Sequence, residues 1–206
     1  MDKSKTAFID IDSQFDFMNP EGRLYVPDSI NIIDNLKRLI NIARKENIKI
    51  LGSVDAHKTD DPEMNTVGGP FPLHCIKGEK GQKKIPETKP LNPIYVENRE
   101  YTEDELEKVI NHKGEIYFEK QSYTVFENPN AEKIFKNYEN FIVFGVATDY
   151  CVKSAVIGLL DMKKNVYVIE DAIKPVTEAG GKEAIEQMKK KGAKFIKTQD
   201  ALKLLK

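Results

Sequence analysis

Cys151, Asp12 and Lys120 each stand where an apolar run ends, and their types suit nucleophilic chemistry. A thiolate is a strong nucleophile. The first turn of a helix favours it through the dipole and through free backbone N–H groups, which can also hold an oxyanion. Gly145, shortly before Cys151, permits an unusual backbone path into such a turn. A cysteine nucleophile needs a base that takes its proton and later protonates the leaving group. Asp12 can be that base, and Lys120 can hold the carboxylate and steady the thiolate. Taken singly, Cys151 reads equally as a small buried residue, Asp12 as a strand-end turn residue and Lys120 as a surface charge.

A second constellation uses imidazoles. In Asp55-Ala56-His57 the carboxylate and the ring share one side of an extended chain, because alternate residues share a face. His74 follows from a long loop, and Glu63 in the same loop can add a fourth ligand. Oxygen and nitrogen donors of this kind suit zinc, with iron and manganese as alternatives. A lone His is more commonly a hydrogen-bonded structural residue, so the pattern gains force only as a set. Cys75, beside His74, reads as packing more readily than as a ligand. His112 reads as surface, and the Lys189–Lys191 run as a solvated helix end.

The elements that must position these groups alternate in kind. Strands are expected over Thr6–Ile11, Ile48–Val54, Glu115–Glu119, Asn140–Val146, Asn165–Ile169 and Ala193–Ile196. Helices are expected over Asp28–Asn47, with Asp28 as cap, and over Tyr150–Lys164 and Thr177–Lys191, with a closing turn over Asp200–Lys206. Strands separated by helices imply right-handed crossovers and a mainly parallel sheet. The expected fold is therefore α/β: a single doubly wound domain over 1–206, a six-stranded, mainly parallel sheet with helices on both faces. Ligands of such sheets bind at the carboxyl ends of the strands, where the residues above lie. The stretch His57–Asn98 is rich in Gly and Pro, weakly periodic, and longer than an ordinary connection. It carries two of the three histidines, which points to a functional loop.

Composition narrows the classes. The chain has 206 residues, a formal net charge of -1, 40% hydrophobic and 32% charged residues, and no Trp. Near-zero net charge argues against nucleic acid and against a membrane surface as partners. No apolar stretch approaches the roughly 20 residues of a membrane span. Two cysteines are too few for a disulfide scaffold, and no signal-like segment opens the sequence, so the expected compartment is the cytoplasm, where thiols stay reduced.

The ordered motifs resemble those of the isochorismatase-like cysteine hydrolases. Asp12-Ser13-Gln14-Phe15-Asp16-Phe17 is similar to the family's opening Asp-x-Gln-x-Asp-Phe, and Gly145 through Val152 to its nucleophile turn. Lys120 falls where the family's lysine falls. Asp55-x-His57 and Phe71-Pro72-Leu73-His74-Cys75-Ile76-x-Gly78 resemble the metal-site segments of the family's nicotinamidases, which metal-free members lack. The resemblance implies a metal-containing amidohydrolase that converts nicotinamide to nicotinate and ammonia through a thioester, in NAD salvage, with pyrazinamide as a close analogue. It assigns Cys151 as nucleophile, Asp12 as base, Lys120 as its partner, and the N–H groups of Ala147 and Cys151 as the oxyanion hole. A cis peptide between Val146 and Ala147 is implied as well. One divalent metal, held by Asp55, His57, Glu63 and His74, would position the pyridine nitrogen. Phe17 and Phe71 would sandwich the ring, with Val146, Ala147 and Tyr150 completing the pocket. Glu63 stands where several relatives have His, and Phe71 where many have Trp. The stretch 78–114 is longer than in compact members, within a loop or insertion at about 58–114 that could cover the pocket or build a homo-oligomer contact. The alternatives are a family amidase for another small amide and, from a different class, a phospho-acceptor receiver built on Asp10, Asp12 and Asp55. A receiver would be a much shorter chain and would leave Cys151, His57 and His74 without roles.

Overall fold

Alternating strand and helix patterns produce the expected layering. The computed structural model describes residues 1–204. Seven strands form one sheet: β1 (Thr6–Ile11), β2 (Lys49–Asp55), β3 (Ile94–Val96), β4 (Ile116–Lys120), β5 (Asn140–Val146), β6 (Asn165–Lys174) and β7 (Lys194–Ile196). Their order is β3-β4-β2-β1-β5-β6-β7, and every pairing between them is parallel. The expected six strands become seven. The addition, β3, is a three-residue edge strand inside the loop. A run this short behind Pro93 has no periodicity to betray it.

Helix α1 (Phe15–Met18) is a single turn, followed by α2 (Ile33–Lys45), α3 (Glu103–Ile110), α4 (Ala131–Phe135), α5 (Lys153–Asp161), α6 (Glu178–Lys191) and α7 (Thr198–Leu204). Leu36, Leu39, Ile40 and Ala43 of α2 recur at helical spacing and bury against one sheet face, with Phe8, Ile142 and Phe144. The other face packs α3 to α6 against Ala7, Ile9, Ile11, Phe141 and Val143. The closing turn expected over 200–206 is the end of α7, and positions 205 and 206 lie outside the described residues.

Two expectations about helix starts are corrected. Asp28 does not cap α2: it has φ 59, makes no side-chain cap bond, and precedes a short 3₁₀ turn over Ser29–Ile32. The helix expected from Tyr150 opens instead as a π-helical turn over Thr148–Val152 and becomes regular at Lys153. The capped helix within the long loop is α3. There Thr102 accepts from the Glu105 N–H, and the Glu105 side chain accepts from the Thr102 N–H, a reciprocal capping box.

The strand order reverses around β1, since the chain passes from β2 to the edge strand β3 and back to β4 on one side, and then crosses to β5 on the other. That switch point opens a crevice above the carboxyl ends of β1, β2, β4 and β5. Gly145 lets β5 end there at φ 119, pressed so close to the Ile11 carbonyl of β1 that a Cβ would collide with it. The Val146–Ala147 peptide that follows is cis.

Candidate active site

The crevice brings together Asp12 from the end of β1, Asp55 from β2, Lys120 from β4 and Cys151 from the turn after β5. Lys120 is fully buried. Its ammonium stands 2.9 Å from Asp12 Oδ2 and 3.7 Å from Cys151 Sγ. It also pairs with Asp55 Oδ1 and donates to the Ser122 carbonyl at 2.9 Å. Burial disfavours its charge, but the two carboxylates and the neighbouring sulfur hold its proton well above the ordinary range. Asp12 takes φ 45 and is oriented by Ser53, whose hydroxyl donates to Oδ1 at 2.8 Å. Asp12 Oδ2 contacts the ammonium as an ion pair but outside hydrogen-bond alignment, which leaves this oxygen open to another donor.

Cys151 is 9% exposed. A helix start favours a thiolate, and here burial works against that preference. Burial pushes the thiol well above its ordinary range; Lys120 pulls down, and Asp12 and Asp55 push further up. Burial and the two carboxylates thus favour the neutral thiol over the thiolate. Beside it, the Ala147 N–H meets no acceptor among the described residues.

The second constellation adjoins the first through Asp55. One donor atom from each of Asp55, His57 and His74 lies within 4.8 Å of the others. His57 Nε2 is 3.6 Å from Asp55 Oδ2 and 3.0 Å from Glu63 Oε1; His74 Nε2 is 3.8 and 3.5 Å from the same two atoms. Each ring is fixed from behind. His57 Nδ1–H donates to Asp61 Oδ2 at 3.0 Å and His74 Nδ1–H to the Pro72 carbonyl at 2.8 Å, so both Nε2 atoms converge. Separations of 3.0 to 3.8 Å resemble the edges of a tetrahedron of about 3.3 Å built on zinc bonds of about 2.0–2.1 Å. The buried His57 Nε2 has no aligned hydrogen-bond partner. Burial opposes its charge, yet Asp55, Glu63 and Asp61 raise the ring to about 10, which marks a place that attracts a cation. Asp55, despite its burial, is held at about 2 by Lys120 and His57. The donor set fits a divalent metal.

The motif between β1 and α1 supplies the scaffolding. Gln14, fully buried, brackets Asp55: its Nε2 donates to the Asp55 carbonyl at 2.9 Å, and the Asp55 N–H donates to its Oε1 at 2.7 Å. Asp16 Oδ2 accepts from the Cys75 N–H at 2.7 Å and so holds the loop bearing His74. Phe17 stands 5.6 Å from the His74 ring, and Phe71 stands 6.0 Å from it on another side. Sequence reasoning named Asp12 and Phe17 but missed the work of Gln14 and Asp16. The two-residue alternation was the available signal.

Phe17, Phe71, Val146, Ala147, Tyr150 and Cys151 line one cleft of about 650 Å³, mouth included, together with Asp55, Glu63 and His74. Leu24, Tyr25, Val26, Tyr123 and Val176 complete the walls and were not anticipated. Lys120, His57 and Asp12 lie beneath the lining. Cys75 is fully buried, as expected for packing, and His112 lies far off, bonded to the Asn92 carbonyl. Asp10, the would-be second receiver carboxylate, is buried beside Lys84.

The Isochorismatase domain family matches residues 6–114 and 98–200. The nicotinamidase of Escherichia coli (strain K12) is 26% identical over 192 residues, 82% of this chain and 83% of that protein. The crystal structure of the pyrazinamidase of Pyrococcus horikoshii in complex with zinc superposes with a TM-score of 0.76 at 26% identity, covering 94% of this chain and 99% of that one. N-carbamoylsarcosine amidase from Thermoplasma acidophilum shares the fold, with a TM-score of 0.72 at 22% identity over 94% of this chain and 96% of its own.

Proposed function

The chain belongs to the Isochorismatase domain family, and from that premise we propose that it is a metal-containing nicotinamidase, a cysteine amidohydrolase producing nicotinate and ammonia for NAD salvage. One observation carries the reading: a buried Asp12–Lys120–Cys151 cluster shares Asp55 with a convergent Asp/His/His donor set, under one aromatic cleft.

Burial and the two carboxylates favour the neutral thiol, so the sulfur needs a base before it attacks. The open Oδ2 of Asp12 takes the thiol proton as sulfur adds to the carboxamide carbon. Lys120, beside both groups, balances the negative charge that passes from the carboxylate to sulfur. The oxygen of the tetrahedral adduct faces the Ala147 N–H, with the Cys151 N–H as second donor. Asp12 then delivers the proton to the departing nitrogen, the C–N bond breaks, and a thioester remains. Water, relieved of a proton by Asp12, cleaves that thioester, and the thiol is restored. Asp55, His57, His74 and Glu63 would hold one divalent ion, zinc before iron or manganese. When bound, it supplies a Lewis-acid anchor for the pyridine nitrogen. Phe17, Phe71, Val146 and Tyr150 flank the ring and keep water from its faces.

The lining supports a neutral aromatic amide. Among the described lining residues there is no Lys or Arg, and the walls are mostly apolar and aromatic, which suits a neutral ring amide. A second reading, a family amidase for a larger aromatic amide, is favoured by the mouth, where Tyr123, Tyr150 and Val176 stay exposed. Ammonia release from nicotinamide by purified protein loaded with zinc, iron or manganese tests the proposal. No release with any of them overturns it, and release from a bulkier aromatic amide instead transfers the site to the second reading.

A further inference from the structure

A second buried charge cluster lies against β1 and has no part in the proposed chemistry. Asp10 shares a face of β1 with Phe8, the face covered by α2. Its Oδ2 accepts from Ser13 Oγ at 2.7 Å and stands 3.0 Å from Lys84 Nζ. Lys84 Nζ also donates to the Asp10 carbonyl at 3.2 Å, and Ser13 Oγ pairs with Thr88 Oγ1 at 2.7 Å. Neither charged side chain reaches solvent, and Asp10 Oδ1 has no hydrogen-bond partner among the described residues.

Such a pair is poor value as a stabiliser, because desolvating two ions commonly outweighs their attraction. Burial here pushes the Asp10 carboxyl up against the pull of Lys84 and Ser13. Its effect is better sought in where Lys84 sits. Residues 81–88 run as a strap along the motif after β1. The Ile85 N–H donates to the Ser13 carbonyl at 3.0 Å, the Phe15 N–H to the Lys83 carbonyl at 2.8 Å, and the Asp16 N–H to the Gly81 carbonyl at 3.1 Å. The Gln82 carbonyl accepts from Gln14 Nε2 at 2.7 Å, and that same amide brackets Asp55. Gly81 lies so close to the Asp16 carboxylate that a Cβ there would overlap it, and that carboxylate holds the Cys75 N–H beside His74. Both metal-donor segments are thus braced through one strap, and the buried ion pair fixes the strap's register.

We infer that Asp10 and Lys84 are positioning residues that set the spacing of Asp55 and His74 for a divalent metal, acting through the strap 81–88, Gln14 and Asp16. The inference rests on the proposed reading of those two side chains as metal ligands.

The test compares the full-length protein with Asp10→Asn/Lys84→Met, in which both charges are removed together and no lone ion stays buried. Zinc affinity is read by competition with a chromogenic chelator, beside kcat and KM for nicotinamide. The expected result is zinc binding weaker by about tenfold, the low end for loss of an outer-shell support, with kcat/KM falling in parallel at low zinc and recovering at saturating zinc. A folded double variant with wild-type zinc affinity overturns the inference. Should that variant fail to fold, Ser13→Ala, which removes only the hydroxyl bridging Asp10 and Thr88, replaces it. Zinc release a few-fold faster than wild type supports the inference, and an unchanged release rate overturns it. A wild-type protein that binds zinc yet releases no ammonia from nicotinamide sinks the substrate reading alone, since the affinity comparison needs no substrate.

Discussion

Replacing Asp12 by Asn should uncouple the reactivity of Cys151 from turnover, in opposite directions. The substitution keeps the shape and removes one negative charge from a fully buried cluster. At 2.9 Å, the Asp12–Lys120 attraction amounts to about 6 kcal/mol at an effective dielectric constant of about 20. The variant also escapes the cost of burying that carboxylate, several kcal/mol on its own. Lys120 keeps Asp55 and the Ser122 carbonyl. The net loss should therefore fall below the about 3–5 kcal/mol of a wholly broken buried pair, and the fold should persist. Turnover loses its proton carrier, so kcat should drop by about 100- to 10,000-fold, or about 3–5 kcal/mol of barrier.

The thiol should respond the other way. Asp12 favours the neutral form of Cys151 through its negative charge. Without it, Lys120 acts on the sulfur with less opposition, and the thiolate fraction at a given pH rises. Alkylation by iodoacetamide, followed by mass spectrometry at Cys151, should be faster in Asp12→Asn than in wild type. Cys75, fully buried with its own thiol pushed well up, serves as the internal control. Turnover retained above a tenth of wild type would refute Asp12 as the base. Slower alkylation would refute the claim that this carboxylate restrains the thiol.

Other perturbations separate the remaining roles. Cys151→Ala should abolish ammonia release while leaving zinc content and melting temperature near wild type, since the side chain supplies only the covalent step. His57→Ala should lower zinc content and raise KM by at least about tenfold, checked by elemental analysis and steady-state kinetics, because it deletes one of the convergent donors. Phe71→Ala should raise KM for nicotinamide by about 2- to 10-fold with little change in kcat, which is the worth of one aromatic contact. Gly145→Ala forces a Cβ against the Ile11 carbonyl at φ 119 and should lower the melting temperature by at least about 2–4 °C, the equivalent of about 1 kcal/mol in a chain of this size, read by calorimetry.

The parts of the site legible in the sequence are those fixed by strand periodicity. Once Thr6–Ile11, Asn140–Val146 and their parallel neighbours are read as strands, Asp12, Asp55, Lys120 and Cys151 must fall on one edge. The loop residues were legible only as types. His74 reaches the edge because Asp16 grips the N–H of Cys75, 59 positions further along the chain, a contact that no local pattern encodes. Ser53 behind Asp12 and the strap at 81–88 escape local patterns for the same reason: each is a polar bond between segments whose meeting depends on the whole fold, whereas Asp61 lies only four residues past His57. A helix-end argument is local, and at Cys151 burial and two carboxylates from other strands outweigh it.

Asp55 explains why these two constellations occupy one crevice. Its Oδ1 pairs with Lys120, and its Oδ2 faces the Nε2 atoms of His57 and His74. The same carboxylate therefore belongs to the proton-handling cluster and to the proposed ring-anchoring set. Charge drawn from Oδ2 by a cation leaves less at Oδ1 to oppose the thiolate, so metal loading and the ionisation of Cys151 must be linked. Linkage is reciprocal. Alkylation of Cys151 should then quicken on zinc loading in the wild type, with no substrate present. In Asp55→Asn, where the shared charge is gone, that zinc dependence should vanish even at zinc levels that restore binding. A zinc effect of equal size in both proteins would mean that the ion acts on the sulfur through space alone, and that Asp55 only holds the two halves side by side.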